Sequence, residues 1–456
     1  MRHAADPAGA GTYGPDAGIR PPRLAILSYS SAEFDARSAR IARSATRAGF
    51  DVVVYARLQD GLPAVEERDG YRVLRARWDW WLAVPGLRTL GRRRVSASRP
   101  PATTRGKVRS RRAQPHQASS IKGRVLRVTG RLGEAVRAVL MFPILPMAWA
   151  HGLQDVVEPA DIWHGMWAGS LPALVRESHR LGGRTIYDSR DVYMQSRLFA
   201  NTYRPLRAVL ARIERRWARR VDRVLTVNEA CASLIAQQLG VRKPVVVMNC
   251  PDRWEPPDPP PDLIREALRL GPETAVVLYQ GQLLTDRGIE QAMDAILDVP
   301  GSVLALLGFG PLRAELEARA RRTPWAGRVF LLPAVSPDEL LMWTASADVS
   351  VMPIRATSVN HVHATPQKLF ESLAVGTPVV ASDLPDMAEI VRAAGAGALV
   401  DPDSPASIAA GIRSILDLAP AERAALRGRV MAAAHERYTW EVQAATLLAL
   451  YRDVPG

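Results

Sequence analysis

The chain has 456 residues, of which 47% are hydrophobic, and it carries a formal net charge of +14. This length exceeds the size at which a single hydrophobic core keeps growing, so we expect two domains. Cys231 and Cys250 are the only cysteines. A disulfide-stapled fold is therefore excluded, and a reducing, cytoplasmic setting is indicated.

The N-terminal region is predicted to begin with a tail and to continue as a βαβ unit. Residues 1–22 mix Gly, Ala, Pro and Asp with charged side chains and hold no apolar run typical of a signal peptide, so we expect disorder. A strand at 24–29, a helix near 35–48 and a strand at 51–55 follow. The unit lacks G-x-G-x-x-G, so nothing in it favours a dinucleotide cofactor.

The positive charge is concentrated in one segment, residues 86–137. It holds 15 Lys or Arg and a single acid, Glu134, so the rest of the chain is neutral. Its content of Ser, Pro, Thr and Gln, without a sustained apolar period, predicts a disordered or loosely helical insertion. Nucleic-acid binding is not favoured, because no recognition fold or stacking platform accompanies the charge.

Two interpretations of this insertion have equal weight. Three tryptophans between positions 78 and 81 precede it, and the apolar run 139–150 follows it. Aromatic residues beside a polybasic segment suit a surface that rests on anionic lipid headgroups, which predicts a peripheral protein of the inner membrane face. Alternatively, the tryptophans pack in the core and the insertion is a solvated loop. The apolar run is far shorter than the roughly 20 residues that cross a bilayer.

Polar residues follow two further strands that we predict in this half. One strand is expected to begin at Asp161 and end at His164, and the other, 184–188, is followed by Arg190 and Asp191. The carboxyl ends of parallel strands are the usual place for a site in an open α/β sheet. His164, Arg190 and Asp191 are thus candidate site residues, although His164 is more readily interpreted as a core histidine at a strand end.

A proline-rich stretch separates the two halves. Residues 251–262, PDRWEPPDPPPD, contain six prolines and cannot continue a helix or a strand. We predict that they link an N-terminal domain of residues 23–250 to a C-terminal domain of residues 263–456.

The C-terminal half places glycines and a basic residue after its predicted strands. Strand 275–280 is followed by Gly281, which permits close backbone approach to a ligand, and by Arg287, which stands where a diphosphate could be clamped. Strand 303–307 leads into the turn GFGPL at residues 308–312, and strand 329–332 leads into a loop at 333–335.

The most informative stretch is residues 363–382, HATPQKLFESLAVGTPVVAS. It predicts a short helix whose N-terminus, at Thr365, Pro366 and Gln367, would face an anion. Lys368 adds a full positive charge. Glu371, on the same face, offers the acceptor oxygens that would hold the paired hydroxyls of a ribose.

Phosphate and ribose binding together indicate a nucleotide. The alternative is an ordinary α/β helix with an exposed Lys and Glu pair. His361 and His363 lack acids or cysteines at ligand spacing, so no metal site is predicted.

The spacing K-x-x-E-x-x-A-x-G-x-P-V-V at residues 368–380 resembles the donor-site motif of the family 4 glycosyltransferases, which are retaining enzymes of the GT-B fold. The resemblance implies two Rossmann-like doubly wound domains that face each other across a cleft, with the last helix crossing back onto the N-terminal domain. It also implies transfer from a nucleotide-sugar donor to a polysaccharide or lipid-linked acceptor, without a cofactor or a required metal.

The resemblance assigns roles residue by residue. Glu371 matches the second glutamate of the family's pair, which binds the ribose, while His363 stands where the first would be. Arg190 replaces the histidine associated with the donor sugar, and Asp191 takes the place of the neighbouring acid. Gln282 replaces an arginine. The implied donor-binding residues are Gly281, Gln282, Arg287, Gly308, Gly310, Val335 (through its backbone), His363, Thr365, Pro366, Lys368 and Glu371.

The three replacements at positions 190, 282 and 363 motivate a second hypothesis. A glycosyltransferase-like protein that no longer catalyses could instead scaffold a polysaccharide-assembly complex through its basic insertion.

Overall fold

The computed structural model describes residues 20–33, 35–77, 133–199 and 202–453. The tail up to residue 19, the tryptophans between 78 and 81 and the basic insertion up to residue 132 lie outside these ranges, as do the predictions made for them. The described chain forms two mainly parallel sheets, one in each half. The predicted α/β class with two doubly wound domains is confirmed.

The N-terminal domain is built on a sheet of eight strands in the order β3-β4-β2-β1-β5-β6-β7-β8. Neighbouring strands are parallel except β3 and β4, which form an antiparallel hairpin. The central strands are continuous apolar runs, as in sheets covered on both faces. The strands are β1 (Arg23–Ser28), β2 (Asp51–Arg57), β3 (Val65–Arg68), β4 (Tyr71–Ala76), β5 (Ile162–Met166), β6 (Arg184–Asp188), β7 (Arg223–Thr226) and β8 (Val245–Val246).

Helices cover both faces of this sheet. The first helix begins directly after Asp35, whose side chain accepts from the backbone N–H of Ser38. The helices are α1 (Ala36–Arg47), α2 (Gly133–Asp155), α3 (Leu171–Leu181), α4 (Arg204–Ala218) and α5 (Glu229–Leu239).

The C-terminal domain has a sheet of six strands in the order β11-β10-β9-β12-β13-β14, with every neighbouring pair parallel. Its strands are β9 (Ala275–Gln280), β10 (Ser302–Leu307), β11 (Val329–Leu332), β12 (Val349–Met352), β13 (Val379–Ser382) and β14 (Gly397–Val400). Its helices are α6 (Leu263–Leu268), α7 (Ile289–Ala295), α8 (Arg313–Ala320), α9 (Leu340–Ala345), α10 (Val359–Val362), α11 (Gln367–Ala374), α12 (Pro385–Ala394), α13 (Pro405–Leu416) and α14 (Pro420–Arg437).

The last helix, α15 (Trp440–Asp453), lies against the N-terminal domain. The indole Nε1 of Trp440 donates to the hydroxyl of Ser44 at 2.8 Å, and Leu447 and Tyr451 are buried among the N-terminal strands. Residues 251–262 contain no helix or strand. The two domains are therefore joined by the irregular segment and by this returning helix.

Two features of the N-terminal domain differ from the sequence predictions. Strand β5 continues to Met166 and does not end at His164, because its pairing with β1 and β6 runs on to that residue. The β3–β4 hairpin was not predicted, since its short, charged first strand, VEER, resembles a loop in composition.

Helix α2 is the one helix of the described chain whose length and composition would allow it to cross a membrane. It is not a regular span. Phe142 leaves the helical region, with φ −158° and ψ 119°, beside Pro143. Phe142 and Trp149 are fully buried against the N-terminal core, so α2 packs as a core helix along part of its surface.

Candidate functional site

The loops that leave the carboxyl ends of the two sheets face each other across a cleft. The Asn360 side-chain amide donates to the carbonyl of Val192 at 3.2 Å and accepts from its N–H at 3.1 Å. The Asn228 amide donates to the carbonyl of His363 at 2.9 Å and to the hydroxyl of Thr365 at 3.3 Å. Amide side chains therefore fasten the two walls of the cleft to each other.

Glycines allow the β9 and β10 exit loops to pack backbone against backbone. A Cβ on Gly308 would lie 1.9 Å from the carbonyl oxygen of Gly281, and one on Gly310 would lie 2.3 Å from that of Leu283. A Cβ on Gly281 would meet no atom within 4 Å, and its φ of +115° is what requires glycine there. The G-x-G turn thus shapes the wall of the cleft.

Helix α11 presents Lys368 and Glu371 toward this wall. It begins directly after Pro366, whose backbone is extended, and it ends before Gly376, which has a φ of +70°. The apolar residues that fix the helix in the core are Leu369, Phe370 and Leu373.

The carboxylate of Glu371 is held on both sides. Only 6% of the residue is exposed, and its two oxygens accept from the side-chain amides of Gln280 at 2.7 Å and Gln367 at 2.8 Å. Each amide is oriented by a further partner, because Gln280 accepts from Thr344 at 2.6 Å and Gln367 accepts from Asn249 at 3.1 Å. The position of Glu371 is therefore determined by a chain of hydrogen bonds.

The same surroundings set the ionisation of Glu371. Burial raises the pKa of its carboxyl, while the hydrogen bond from Gln280 and the positive charge of Arg40 oppose that rise. A carboxylate with two amide donors retains further lone pairs for a ligand. The alternative of an exposed Lys and Glu pair on an ordinary helix is wrong, because both charged ends are buried.

Lys368 is a buried cation without a hydrogen-bond partner. Its Nζ is inaccessible to solvent and forms no hydrogen bond in the described chain. It lies 3.7 Å from the centroid of the Tyr279 ring. Burial and the nearby charge of Arg287 hold the pKa of Lys368 well below its usual value, although Glu371 opposes the shift. Arg287 likewise has no hydrogen bond or ion pair with a described residue.

The remaining predicted donor residues lie around this pair. The ring Nδ1 of His363 lies 2.8 Å from a carboxylate oxygen of Asp386, so this position is paired with an acid of helix α12. Gln282 is exposed, and its carbonyl accepts from the hydroxyl of Tyr279 at 3.0 Å. Val335 is half-buried in the loop after β11.

Arg190 and Asp191 lie on the opposite wall. The Arg190 guanidinium is 3.5 Å from the carboxylate of Asp35, and its side chain is 31% exposed. Asp191 is exposed to the cleft, yet the crowding of protein atoms around its carboxyl raises its pKa, against the effect of Arg190 and Arg287. Arg287 of the C-terminal domain and Asp191 of the N-terminal domain therefore interact electrostatically across the cleft.

His164 is placed differently from this pair. It has no exposed surface, its Nδ1 lies 2.6 Å from the Tyr451 hydroxyl, and its Nε2 lies 3.7 Å from Asp188. Burial would raise the pKa of Asp188, but Arg37 at 2.6 Å and His164 hold it well below the ordinary value. The geometry favours a core histidine that ties α15 to the sheet, and His164 does not reach the cleft.

Several residues that build the site were not predicted from the sequence. They are Asn228, Tyr279, Gln280, Thr344, Asn360 and Asp386. One signal was available for Gln280, which closes the otherwise apolar strand AVVLYQ at the edge where sites form. Within the described ranges, no three His, Cys, Asp or Glu side chains come together as metal ligands would.

Comparisons with known proteins place the sequence and the fold among glycosyltransferases. Residues 262–429 match the family described as glycosyl transferases group 1. A D-inositol 3-phosphate glycosyltransferase of Segniliparus rotundus is 32% identical over 196 residues, which are 41% of this chain and 42% of that protein. The match thus spans less than half of that relative's length.

Two solved structures share the whole architecture. Sucrose-phosphate synthase from Thermosynechococcus elongatus superposes with a TM-score of 0.66 at 17% identity, covering 95% of this chain and 99% of that one. HepE of Anabaena in complex with UDP-glucose gives a TM-score of 0.64 at 15% identity, with 95% and 100% covered. At these identities the likeness concerns the fold alone, and the predicted GT-B fold is confirmed.

Proposed function

We propose, on the premise that the chain belongs to the group 1 glycosyltransferases through residues 262–429, that it transfers a sugar from a nucleotide-sugar donor to an acceptor with retention of anomeric configuration. The acceptor that we propose is a polysaccharide or a lipid-linked precursor. We expect neither a cofactor nor a metal to be required.

One observation carries the donor part of the proposal: the buried amino group of Lys368 has no hydrogen-bond partner among the described residues, and the positive charge of Arg287 acts on it. A buried charge without a partner is costly, and two like charges in one place cost more. A diphosphate would supply the missing negative charge to both residues. Glu371, which is next on the same helix face, would then accept from the hydroxyls of the ribose.

The chemistry that follows uses charge stabilisation. The bond between the anomeric carbon and the diphosphate oxygen breaks, and a bond to the acceptor oxygen forms. The acceptor hydroxyl gives its proton to the departing phosphate oxygen. Lys368 and Arg287 stabilise the charge that develops on the diphosphate. Arg190 cannot act as a base at neutral pH, so its role is to position the sugar or its phosphate, with Asp191 beside it.

UDP-sugars are the first donors to try, because HepE of the same fold was solved with UDP-glucose. A lipid-linked acceptor would be reached at the inner membrane face. There, segment 86–137 with its 15 basic residues would contact anionic lipid. We therefore propose a cytoplasmic, peripheral location.

The test is release of nucleoside diphosphate from UDP-, GDP- and ADP-sugars, measured with and without candidate glycan and lipid-linked acceptors. Nuclear magnetic resonance of the first product would report its anomeric configuration. We expect release from one base class only and a product with the configuration of the donor. An inverted product would refute the retaining mechanism and leave donor binding intact.

A Lys243→Met variant is the matched control for Lys368→Met, since Lys243 is 57% exposed and pairs with Glu229. We expect release to be lost only in the Lys368 variant. Nucleotide binding without release or transfer under any condition would favour the non-catalytic scaffold hypothesis.

A further inference from the structure

Exposed apolar side chains of the described chain are concentrated on one region of the N-terminal domain. Nine large hydrophobic side chains are exposed in the described ranges, and six of them lie on α2, immediately after it, immediately before α4, or on the second turn of α4. These six are Val136, Leu140, Met141, Val156, Tyr203 and Val209. The clustering is unusual because single exposed apolar residues are ordinarily scattered over a surface.

Helices α2 and α4 meet at the irregular turn of α2 around Phe142. The ring of Phe142 packs edge to face against Trp217 of α4, with 5.5 Å between centroids. Both rings belong to the N-terminal core. The shared core fixes the two helices together and leaves Leu140, Met141 and Val209 outside.

The outer face of α4 is strongly basic. Residues three, four and seven positions apart share one face of a helix, which places Val209, Arg212 and Arg216 together. The only acid of α4, Glu214, is buried on the other side. The exposed arginines of α4 are Arg204, Arg212, Arg215 and Arg216.

These arginines are available for a partner. The side chains of Arg204, Arg212 and Arg216 form no hydrogen bond or ion pair with any residue that the structure describes. The segment that leads directly into α2 adds further positive charge, since residues 86–132 hold 14 of the 15 basic residues counted in the insertion. Within the first 22 residues of α2, Glu134 is the only acid.

We propose that the outer faces of α2 and α4 form a docking surface for an anionic lipid bilayer, with Leu140, Met141 and Val209 entering the headgroup region and the arginines of α4 contacting lipid phosphates. Charge complementarity selects an anionic partner. The exposed apolar residues favour a membrane over a nucleic acid, because a phosphate backbone would offer these side chains no apolar surroundings. The surface deepens the proposed peripheral location, and the donor site contributes no residue to it.

Vesicle co-sedimentation tests the proposal with the full chain. Vesicles of phosphatidylcholine mixed with phosphatidylglycerol are compared with pure phosphatidylcholine vesicles. The variants are Arg212→Glu/Arg216→Glu on α4 and Leu140→Ser/Met141→Ser on α2. Arg321→Glu/Arg322→Glu, two exposed arginines of the C-terminal domain, is a control with the same change of charge.

We expect the wild type to bind the anionic vesicles and to bind phosphatidylcholine at least tenfold more weakly. The α4 variant should lose at least tenfold in binding and the α2 variant several-fold, while the control binds as the wild type does. Melting temperature and its shift with nucleotide, measured on each variant, should stay unchanged, which separates this surface from the donor site.

Unchanged vesicle binding by both the α2 and α4 variants would overturn the proposal and assign lipid contact to the basic insertion alone. If the α4 variant kept its vesicle binding but lost binding to a polynucleotide that the wild type binds, the proposal would be overturned in favour of a nucleic-acid partner. If the wild type bound anionic vesicles but no nucleotide, the result would count against the proposed transferase and would still support the docking surface.

Discussion

The ammonium of Lys368 lies 3.7 Å from the centroid of the Tyr279 ring and has no hydrogen-bond partner in the described chain. A desolvated cation–π contact is worth about 2 kcal/mol, whereas the desolvation of an ion costs several. The ring therefore stabilises the cation only in part. A bound anion would favour the charged form of Lys368 and supply the partner that the ring does not.

Replacing Lys368 by methionine should leave the unliganded protein as stable as the wild type or more stable. Methionine keeps much of the stem and removes the buried charge, so an increase of a few degrees in melting temperature is expected, at roughly 2–4 °C per kcal/mol for a domain of this size. The burial-lowered pKa of Lys368 means that the unfolded chain holds this proton more tightly than the folded protein does. The advantage of the variant should therefore grow as the pH falls below about 10.

Thermal melts of Lys368→Met and of the exposed control Lys243→Met, recorded from pH 6 to pH 10, test this expectation. A melting temperature several degrees below that of the wild type for Lys368→Met alone would show that the ammonium stabilises the unliganded fold, contrary to our account.

Glu371→Gln should damage the donor site although it changes little in size. Gln280 and Gln367 both direct amide N–H groups at Glu371, and their own oxygens are occupied by Thr344 and Asn249. The new amide group would face one of these donors, leaving a buried donor unsatisfied at a cost of about 1–3 kcal/mol.

Calorimetric titration should therefore show that Glu371→Gln binds the nucleotide with an affinity about tenfold or more below that of the wild type, since each 1.4 kcal/mol is tenfold in affinity. Glu266→Gln, at an exposed position of α6, is the control and should bind as the wild type does. Equal affinity of both variants would mean that Glu371 does not contact the ligand.

Gly308→Ala should destabilise the C-terminal domain. The new Cβ would lie 1.9 Å from the carbonyl oxygen of Gly281, so the β9 and β10 exit loops would have to separate. We expect a loss of a few kcal/mol in the free energy of unfolding, measured by urea titration. Gly428→Ala is the matched control, because its Cβ would meet nothing within 4 Å in helix α14 and should stabilise by up to about 1 kcal/mol. Equal effects of the two changes would refute the close packing of the loops.

Glu214 should make the stability of the protein fall as the pH rises. Burial raises the pKa of this carboxyl to about 8 in the folded protein, against roughly 4.3 in an unfolded chain. Between these values the folded protein holds a proton that the unfolded chain has released, so stability decreases with rising pH across that window. In thermal melts, the melting temperature of Glu214→Gln relative to that of the wild type should increase from pH 5 to pH 8. Melting temperatures that change with pH in parallel for the two proteins would contradict the raised pKa of Glu214.

The sequence was most informative where local pattern and tertiary role coincide. Strands β6, β9 and β11 have the predicted bounds, because each is a short run that contains β-branched or aromatic residues and lies between turn residues. Lys368 and Glu371 were identified through their spacing on one helix face. Their burial was not predicted, because a Lys and Glu pair has the same spacing whether it is exposed or buried.

The features that the sequence could not predict depend on distant contacts. Gln280 meets Glu371 across 91 positions, and His164 meets Tyr451 across 287. The continuation of β5 to Met166 depends on pairing with two other strands. Such contacts leave no periodic signal near either residue, so His164 was placed at a strand end when it lies within the strand.

We expect a nucleoside diphosphate to bind where the side chains of Lys368 and Arg287 have no hydrogen-bond partner among the described residues. Isothermal titration calorimetry of the wild type and of Lys368→Met and Arg287→Met with UDP, GDP and ADP tests it most directly. We expect one binding site for a single base class, with binding abolished in the Lys368 variant and weakened at least tenfold in the Arg287 variant. Undiminished binding in both variants, or no binding of any nucleotide to the wild type, would contradict it.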